Sequence, residues 1–314
     1  MKKILFLVEN TDNLTAINLI RAFGKQPVDV IPYFRDKHNQ CTIVDTTTGA
    51  ALLFGEKYYY PRDYDAALLW CWGTAEIGRQ YLRLFEDQGV AVLNSSYQTA
   101  ITDSKIGIAR LFQKADISTP KTLCFDGTVD NTIGTHQFNN ITEALGQPPY
   151  ILKADYGTQG HGTKFLFSVQ EAQQAITQHN SSLINSGFII QEFIGDAEQP
   201  IFHYRILVIG NQVISTAIKA TAPQPMSVSN VTAGGIVEWI TVDKELKNLA
   251  LEAVQASGLN VAGVDIMVST HRQQRKVVVI EVNDGPGTKT FDKQGINVSQ
   301  AIIDYFINRL NTSH

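Results

Sequence analysis

Two apolar runs near the end of the chain each carry one carboxylate in the middle, and together they restrict the fold more than any other feature of the sequence. They read Val261-Ala-Gly-Val-Asp265-Ile-Met-Val268 and Val277-Val-Val-Ile-Glu281-Val-Asn283. A polar loop centred near Gln273 separates them, so they form an antiparallel hairpin. Folding about residue 273 sets Asp265 opposite Glu281, with Cβ atoms about 4.5–5.5 Å apart. Asn283 shares that face because strand side chains repeat every second residue; Gly263 lies opposite it and leaves space. Two opposed carboxylates in an apolar hairpin repel, so something cationic must compensate. Two carboxylates and an amide form an all-oxygen set that suits Mg²⁺, its shell completed by waters and phosphates. A register slipped by one residue would instead turn both acids to solvent.

Two lysines and a glycine loop supply the opposite charge. Lys153 interrupts the apolar strand Tyr150-Ile-Leu-Lys-Ala154, where an ammonium is costly unless it meets an anion. Gly157-Thr-Gln159-Gly160-His-Gly162 follows. This G-x-x-G-x-G spacing is neither a Walker A motif nor the dinucleotide fingerprint, and it joins two strands instead of a strand and a helix. Three glycines let backbone N–H groups approach phosphate oxygens closely; a plain hairpin tip is the other reading. Lys105, at the start of a helix after Asp103-Ser104, either reaches a phosphate from the other side or is a solvated surface lysine.

The rest of the chain reads as α/β followed by α+β. Ile4–Val8, Ala66–Trp72 and Val90–Leu93 are short apolar runs. Helical periods at Asn13–Phe23 and Glu76–Gln88 separate them, which argues for a small, mostly parallel sheet. A second unit starts near Ile101, with a helix capped by Thr102 and running to about Ala115. It continues through a strand near Thr122–Phe125, a polar loop over 126–147 and a helix capped by Ser168 with Glu171. A third unit opens with the strand Phe188–Ile194. It contains a hairpin about Gly210-Asn211, a helix over Asp243–Ser257 ended by Gly258, and a closing helix over Asn297–Leu310. The expected divisions are 1–100, 101–186 and 187–314.

Composition excludes several classes. The 314 residues carry a net charge of −4 without a long basic run, so nucleic acid is not an expected partner. No stretch reaches the roughly 20 apolar residues of a membrane helix. Met1-Lys-Lys precedes only five apolar residues before Glu9, too few for a leader segment, so a cytoplasmic protein is expected. Cys41, Cys71 and Cys124 are widely spaced and read as reduced thiols.

In this order the pieces resemble the ATP-grasp superfamily, and within it the RimK-type carboxylate–amine ligases. The resemblance spans about 100–310. It rests on Asp103-Ser-Lys105, Ile151-Leu-Lys153, the Gly157–Gly162 loop, Ile190-Gln-Glu-Phe-Ile194, Tyr204-Arg205, Asn230 with Gly234-Gly235, Val261-Ala-Gly-Val-Asp265, and Glu281-Val-Asn283 followed by Pro286-Gly287. It implies a glutathione synthetase-like ATP-grasp fold, in which a small N-terminal parallel-sheet domain precedes two α+β subdomains that enclose ATP. It further implies that Lys105 and Lys153 hold phosphates beneath the loop with Gly157, Gln159, Gly160 and Gly162. Gln191, Glu192, Phe193 and Ile194 would form the hinge facing adenine, with Asn230 near the phosphates or substrate. Arg205 would act with Lys153 on the transferring phosphate. Asp265, Glu281 and Asn283 would hold Mg²⁺, with Mn²⁺ as a substitute.

The implied reaction joins a carboxylate to an amine through an acyl phosphate, with an amino acid, a peptide or a protein terminus as partner. A homo-oligomer is usual in proteins of this kind. Two other functions stand beside it: a nucleotide-binding scaffold without ligase activity, and an ATP-grasp kinase acting on a non-carboxylate acceptor. Three positions depart from the family's habit. His203 replaces an acid two residues before Arg205, Ala233 replaces an arginine before Gly234, and Ser104 stands between Asp103 and Lys105. His161 either touches phosphate or substrate or is a loop residue, Lys219 either adds a cation near the nucleotide or is a solvated strand end, and Tyr58-Tyr-Tyr60, Trp70 and Trp72 either line a substrate cleft or pack in the core.

Overall fold

A computed structural model describes residues 1–34, 41–71, 75–125, 141–157, 163–181, 187–195, 201–220, 236–271 and 273–312. The chain begins with β1 (Ile4–Val8), α1 (Leu14–Ala22) and β2 (Val28–Pro32). Asn13 caps α1 by accepting the Thr15 N–H at 2.8 Å. A three-stranded antiparallel meander follows, β3 (Thr42–Thr46), β4 (Gly49–Phe54) and β5 (Lys57–Tyr59). It was not anticipated. Its signal lies in Gly49 and Gly55, both at positive φ (+118° and +63°), which make the turns. Tyr59 packs into the core beneath the meander, while exposed Tyr58 stacks on Tyr60 with ring centroids 6.3 Å apart.

β6 (Ala66–Trp70), α2 (Ala75–Glu86) and β7 (Ala91–Leu93) complete a parallel sheet of order β2-β1-β6-β7. Ile4, Phe6 and Val8 face α1; Leu5 and Leu7 face α2. Every β1 side chain is buried for that reason. Trp70 is core, 1% exposed, and Trp72 lies outside the described residues.

The helix expected from Thr102 is in fact two. α3 (Ser96–Asp103) stops at Ser104, whose extended backbone starts α4 (Lys105–Lys114). Its hydroxyl accepts the Gly107 N–H at 2.8 Å, satisfying a donor that the helix leaves open. Thr102 sits inside α3.

β8 (Thr122–Phe125), β9 (Tyr150–Ala154), β10 (Lys164–Leu166) and β11 (Phe188–Glu192) form an antiparallel sheet of order β10-β9-β11-β8. α5 (Ile141–Leu145) and α6 (Val169–Ser181) cover one face. α5 forms inside the stretch expected as loop because Ile141 and Leu145, one turn apart, both enter that core. The start of α6 is a reciprocal cap: the Glu171 N–H donates to Ser168, and the Phe167 N–H donates to the Glu171 carboxylate. β11 was placed in the third unit. It pairs instead with β8 and β9, because Phe188 and Ile190 complete this second core. A boundary at 186/187 would therefore cut a sheet.

The third sheet has the order β14-β13-β12-β15-β16. Its strands are β12 (Phe202–Ile209), β13 (Gln212–Ala220), β14 (Ile236–Glu238), β15 (Val261–His271) and β16 (Gln274–Asn283). α7 (Lys244–Ser257), capped by Asp243 and ended by Gly258 at φ +72°, packs with α4 on one face. After α8 (Lys289–Lys293), α9 (Val298–Thr312) returns to the first unit, where Ile302, Ile303 and Phe306 join the core of β1 and α1. Asn94 fastens the same junction. It is 5% exposed at φ +47°. Its amide donates to the carbonyls of Val261 (2.7 Å) and Asp284 (2.8 Å) and accepts the N–H groups of Asn260 and Val261.

Candidate active site

The hairpin of β15 and β16 brings the two acids together by a route the sequence does not reveal. Pairing starts with His271 opposite Gln274 and runs regularly to Ile266 opposite Val279. Continued unbroken, it would set Glu281 opposite Val264, whose side chain lies in the core under α7. A β-bulge intervenes: Ile280 has no partner, and beyond it Asp265 pairs with Glu281 and Gly263 with Asn283. The bulge turns two consecutive residues to one face. Ile280 packs with Ile194, Met267 and Val278, and Glu281 stands next to it opposite Asp265. The expected pairing is the observed one, reached through one extra residue.

β12 adds the third member of the row. Arg205 pairs with Asp265 from the other side. Its guanidinium forks onto the carboxylate, Nε to Oδ1 at 2.7 Å and Nη2 to Oδ2. The Asn283 amide donates to Asp265 Oδ2 at 3.2 Å. The Asp265 charge, together with that hydrogen bonding, raises the Arg205 pKa against the opposing effect of burial. Glu281 has the reverse problem. Burial first and Asp265 second raise its carboxyl pKa, with Lys105, Lys153 and Arg205 pulling it down.

Lys153 and Lys105 face this row from the second sheet and α4. Tyr150 and Leu152 of β9 enter the core, so Lys153 projects from the opposite face. Burial brings its pKa from 10.5 down to about 8; Glu281 acts to raise it, Lys105 to lower it. Lys105 opens α4, and its Nζ donates to the Gly157 carbonyl at 2.8 Å. Among the hinge residues, the Gln191 amide donates to the Thr122 hydroxyl, and Glu192 accepts the Lys121 N–H. The N–H groups of Glu192 and Phe193 bond to the carbonyls of Lys121 and Pro149. Ile194 is buried beside Met267. Gln159, Gly160, His161, Gly162, Asn230 and Ala233 lie outside the described residues, as does the Lys219 side chain.

Two acids escaped the sequence reading. Asp155, two residues after Lys153, is 7% exposed and accepts from Ser104 and the Ile106 N–H, both at 2.8 Å. Asp284 directly follows Asn283. Burial and the nearby Asp103 push its carboxyl up to about 7, against the pull of Arg79. Arg79 is itself buried and ion-paired to Asp103 and Glu76. Only their place next to charged motif residues marks these acids in the sequence.

The donor set fits a hard divalent cation. Among the described residues no three His, Cys, Asp or Glu side chains are grouped closely enough to hold a metal. Asp265, Glu281 and Asn283 offer two carboxylates and an amide oxygen, the short protein shell that Mg²⁺ takes when waters and phosphates fill the rest. The like-charge strain on Glu281 is what such an ion relieves.

Comparison with known proteins places this arrangement. A family model described as RimK-like ATP-grasp domain matches residues 102–306. The chain is 33% identical over 254 residues to a "Probable alpha-L-glutamate ligase" of Haemophilus influenzae, covering 79% of this chain and 78% of that one. It is 30% identical to a protein of the same description from Trichodesmium erythraeum, covering 74% and 73%. Solved structures share the fold at lower identity. The ATP-grasp ligase PsnB with minimal precursor, Mg and ADP superposes with a TM-score of 0.67 at 18% identity, over 98% of this chain and 97% of that. The D-alanine–D-alanine ligase of Bacillus anthracis complexed with ATP gives 0.63 at 17%, over 99% and 97%.

Proposed function

The chain belongs to the RimK-like ATP-grasp family, and from that premise we propose that the row Arg205–Asp265–Glu281, faced by Lys153 and Lys105, is the site of its ATP-dependent carboxylate–amine ligation. The observation that carries this reading is the row itself: three charged side chains on adjacent strands, aligned by a bulge, opposite a buried ammonium. Asp265, Glu281 and Asn283 would hold Mg²⁺, or Mn²⁺ in its place, which would supply positive charge to the triphosphate. Lys153 and Lys105 bind the phosphates. Arg205 lets go of Asp265 and turns to the phosphoryl group in flight. Neutralising the charge as it moves is the main work a protein does in phosphoryl transfer.

The remaining groups have supporting roles. The Ile194 N–H and the hinge carbonyls serve adenine, because the Glu192 and Phe193 N–H groups already bond within the protein. Ile280, Met267 and Val278 form the apolar floor beside it. Gln159, Gly160, Gly162 and Asn230 complete the proposed phosphate-binding set. The substrate carboxylate attacks the γ-phosphorus, ADP leaves, and the amine attacks the acyl phosphate to release phosphate. An amino acid is the amine donor, and glutamate heads the set to test because relatives are described as glutamate ligases. No described helix is long and apolar enough to cross a membrane, and the reaction belongs in the cytoplasm where ATP is held.

The test is a phosphate-release screen with Mg-ATP across pairs of amino acids and short peptides, repeated with hydroxylamine. Phosphate release that depends on a carboxylate, with a hydroxamate formed in its presence, is the expected result. ADP formation without any hydroxamate would favour a kinase. Tight Mg-ADP binding with no turnover on any pair would favour a scaffold.

A further inference from the structure

A lysine at the first position of a helix lies against the positive end of the helix dipole. Lys105 holds that position in α4, and the first turn of α4 has no acidic residue of its own. The missing negative charge comes from a different element. The Asp155 carboxylate, just past β9, accepts from the Ser104 hydroxyl and the Ile106 N–H at 2.8 Å each. The Asp155 carbonyl accepts the Lys105 N–H at 3.1 Å and its Nζ at 3.4 Å. The Asp155 N–H donates to the Gly187 carbonyl at 2.8 Å, at the foot of β11. One buried residue thus joins the helix carrying Lys105, the strand carrying Lys153 and the start of the glycine loop, where Lys105 Nζ meets the Gly157 carbonyl.

We propose that Asp155 is the positioning residue for Lys105, fixing it and the base of the glycine loop as one rigid phosphate-binding piece. This rests on the reading of Lys105 as a phosphate ligand. Asp155 acts through the helix: its Oδ1 accepts both carboxylate bonds from α4, and its carbonyl accepts from Lys105. Removing it leaves the Ile106 N–H open and frees α4 to shift against the loop, so the phosphate site loses its geometry and not its charge.

The experiment is a double-mutant cycle on Mg-AMPPNP binding, measured by calorimetry on the full chain. Asp155→Ala should weaken binding roughly tenfold, the scale of a lost helix cap with its charge. In a Lys105→Met background the same change should cost less than about twofold, because the residue it positions is gone. Ser104→Asp added to Asp155→Ala should restore most of the affinity, since it returns a carboxylate to the same helix end. Should Asp155→Ala unfold, Asp155→Asn keeps the shape and one acceptor oxygen and takes its place in the cycle. Binding unchanged in Asp155→Ala, or an equal loss with and without Lys105, would overturn the proposal while leaving the ligase reading intact. A Lys105→Met variant that binds like the wild type would remove Lys105 from the site, and the role of Asp155 with it.

Discussion

Arg205 holds Asp265 in a two-pronged ion pair across adjacent strands, so on the proposed reading one carboxylate serves both an arginine and a metal ion. The two compete. Arg205→Met should therefore tighten Mg²⁺ binding in the absence of nucleotide, by roughly tenfold for a partly exposed pair of this geometry. Turnover should fall by at least about 10³, because the proposed function also gives the arginine the transferring phosphoryl group. Calorimetric Mg²⁺ titration of the nucleotide-free variant checks the first outcome. Weaker Mg²⁺ binding in Arg205→Met would rule out competition.

The proposed phosphate role of Lys153 predicts a pH limit on nucleotide binding. Burial disfavours its charged form and brings its pKa to about 8, so the free protein loses the ammonium as pH rises through that value. ADP affinity measured without metal should be flat below about pH 8 and drop by up to about tenfold per unit above it. Lys153→Arg should abolish the inflection, since guanidinium stays charged. Glu281→Gln should move it to lower pH, because Glu281 is the group that raises the Lys153 pKa. An inflection that ignores both substitutions would assign it to another residue.

Asp284 works against stability at neutral pH. Its folded pKa, about 7, lies above the 3.8 of the unfolded chain. Between those values the folded state holds the extra proton, so this group's contribution falls as pH rises from about 4 to 7. Asp284→Asn should melt close to the wild type at pH 4 and above it at pH 7.5, the gap widening with pH. Scanning calorimetry at a series of pH values decides; a constant gap would mean that the carboxyl does not titrate in that window.

Asn94 concentrates four hydrogen bonds at one buried junction. Asn94→Ala removes four hydrogen bonds in a buried junction, two donated by the amide nitrogen and two accepted by its one oxygen, and strains a left-handed backbone. Urea unfolding should show a loss of about 2–4 kcal/mol. Asn94→Gly, which accepts φ +47° without strain, should lose less. Equal stability of both variants and the wild type would show that the hydrogen bonds are replaced by water.

What was readable in the sequence follows a physical rule. Local periodicity exposed β1, α1, α7 and its Gly258 stop, and the Ser168–Glu171 box, because each is decided within a few residues. Symmetry about residue 273 exposed the Asp265–Glu281 face. The bulge stayed hidden because Ile280 looks like any other β-branched strand residue; its place is set by contact with Ile194 and Met267. Asp155 and Asn94 stayed hidden because their partners lie about 50 and 166 residues away. The meander was missed because its strands are short and half-exposed, with weak alternation. β11 was misplaced because a strand's own sequence does not say which neighbour completes its sheet.

The bulge at Ile280 also separates the two ends of the last hairpin. The tip closes with one register and the Asp265–Glu281 pair lies in another, with Asp265 also held by Arg205 on the strand beside it. The tip and the Asp265–Glu281 pair thus lie on opposite sides of a register shift. The turn between His271 and Gln274 is a natural attachment point for a fluorophore, an affinity tag or a surface tether, able to report on the enzyme without disturbing its chemistry.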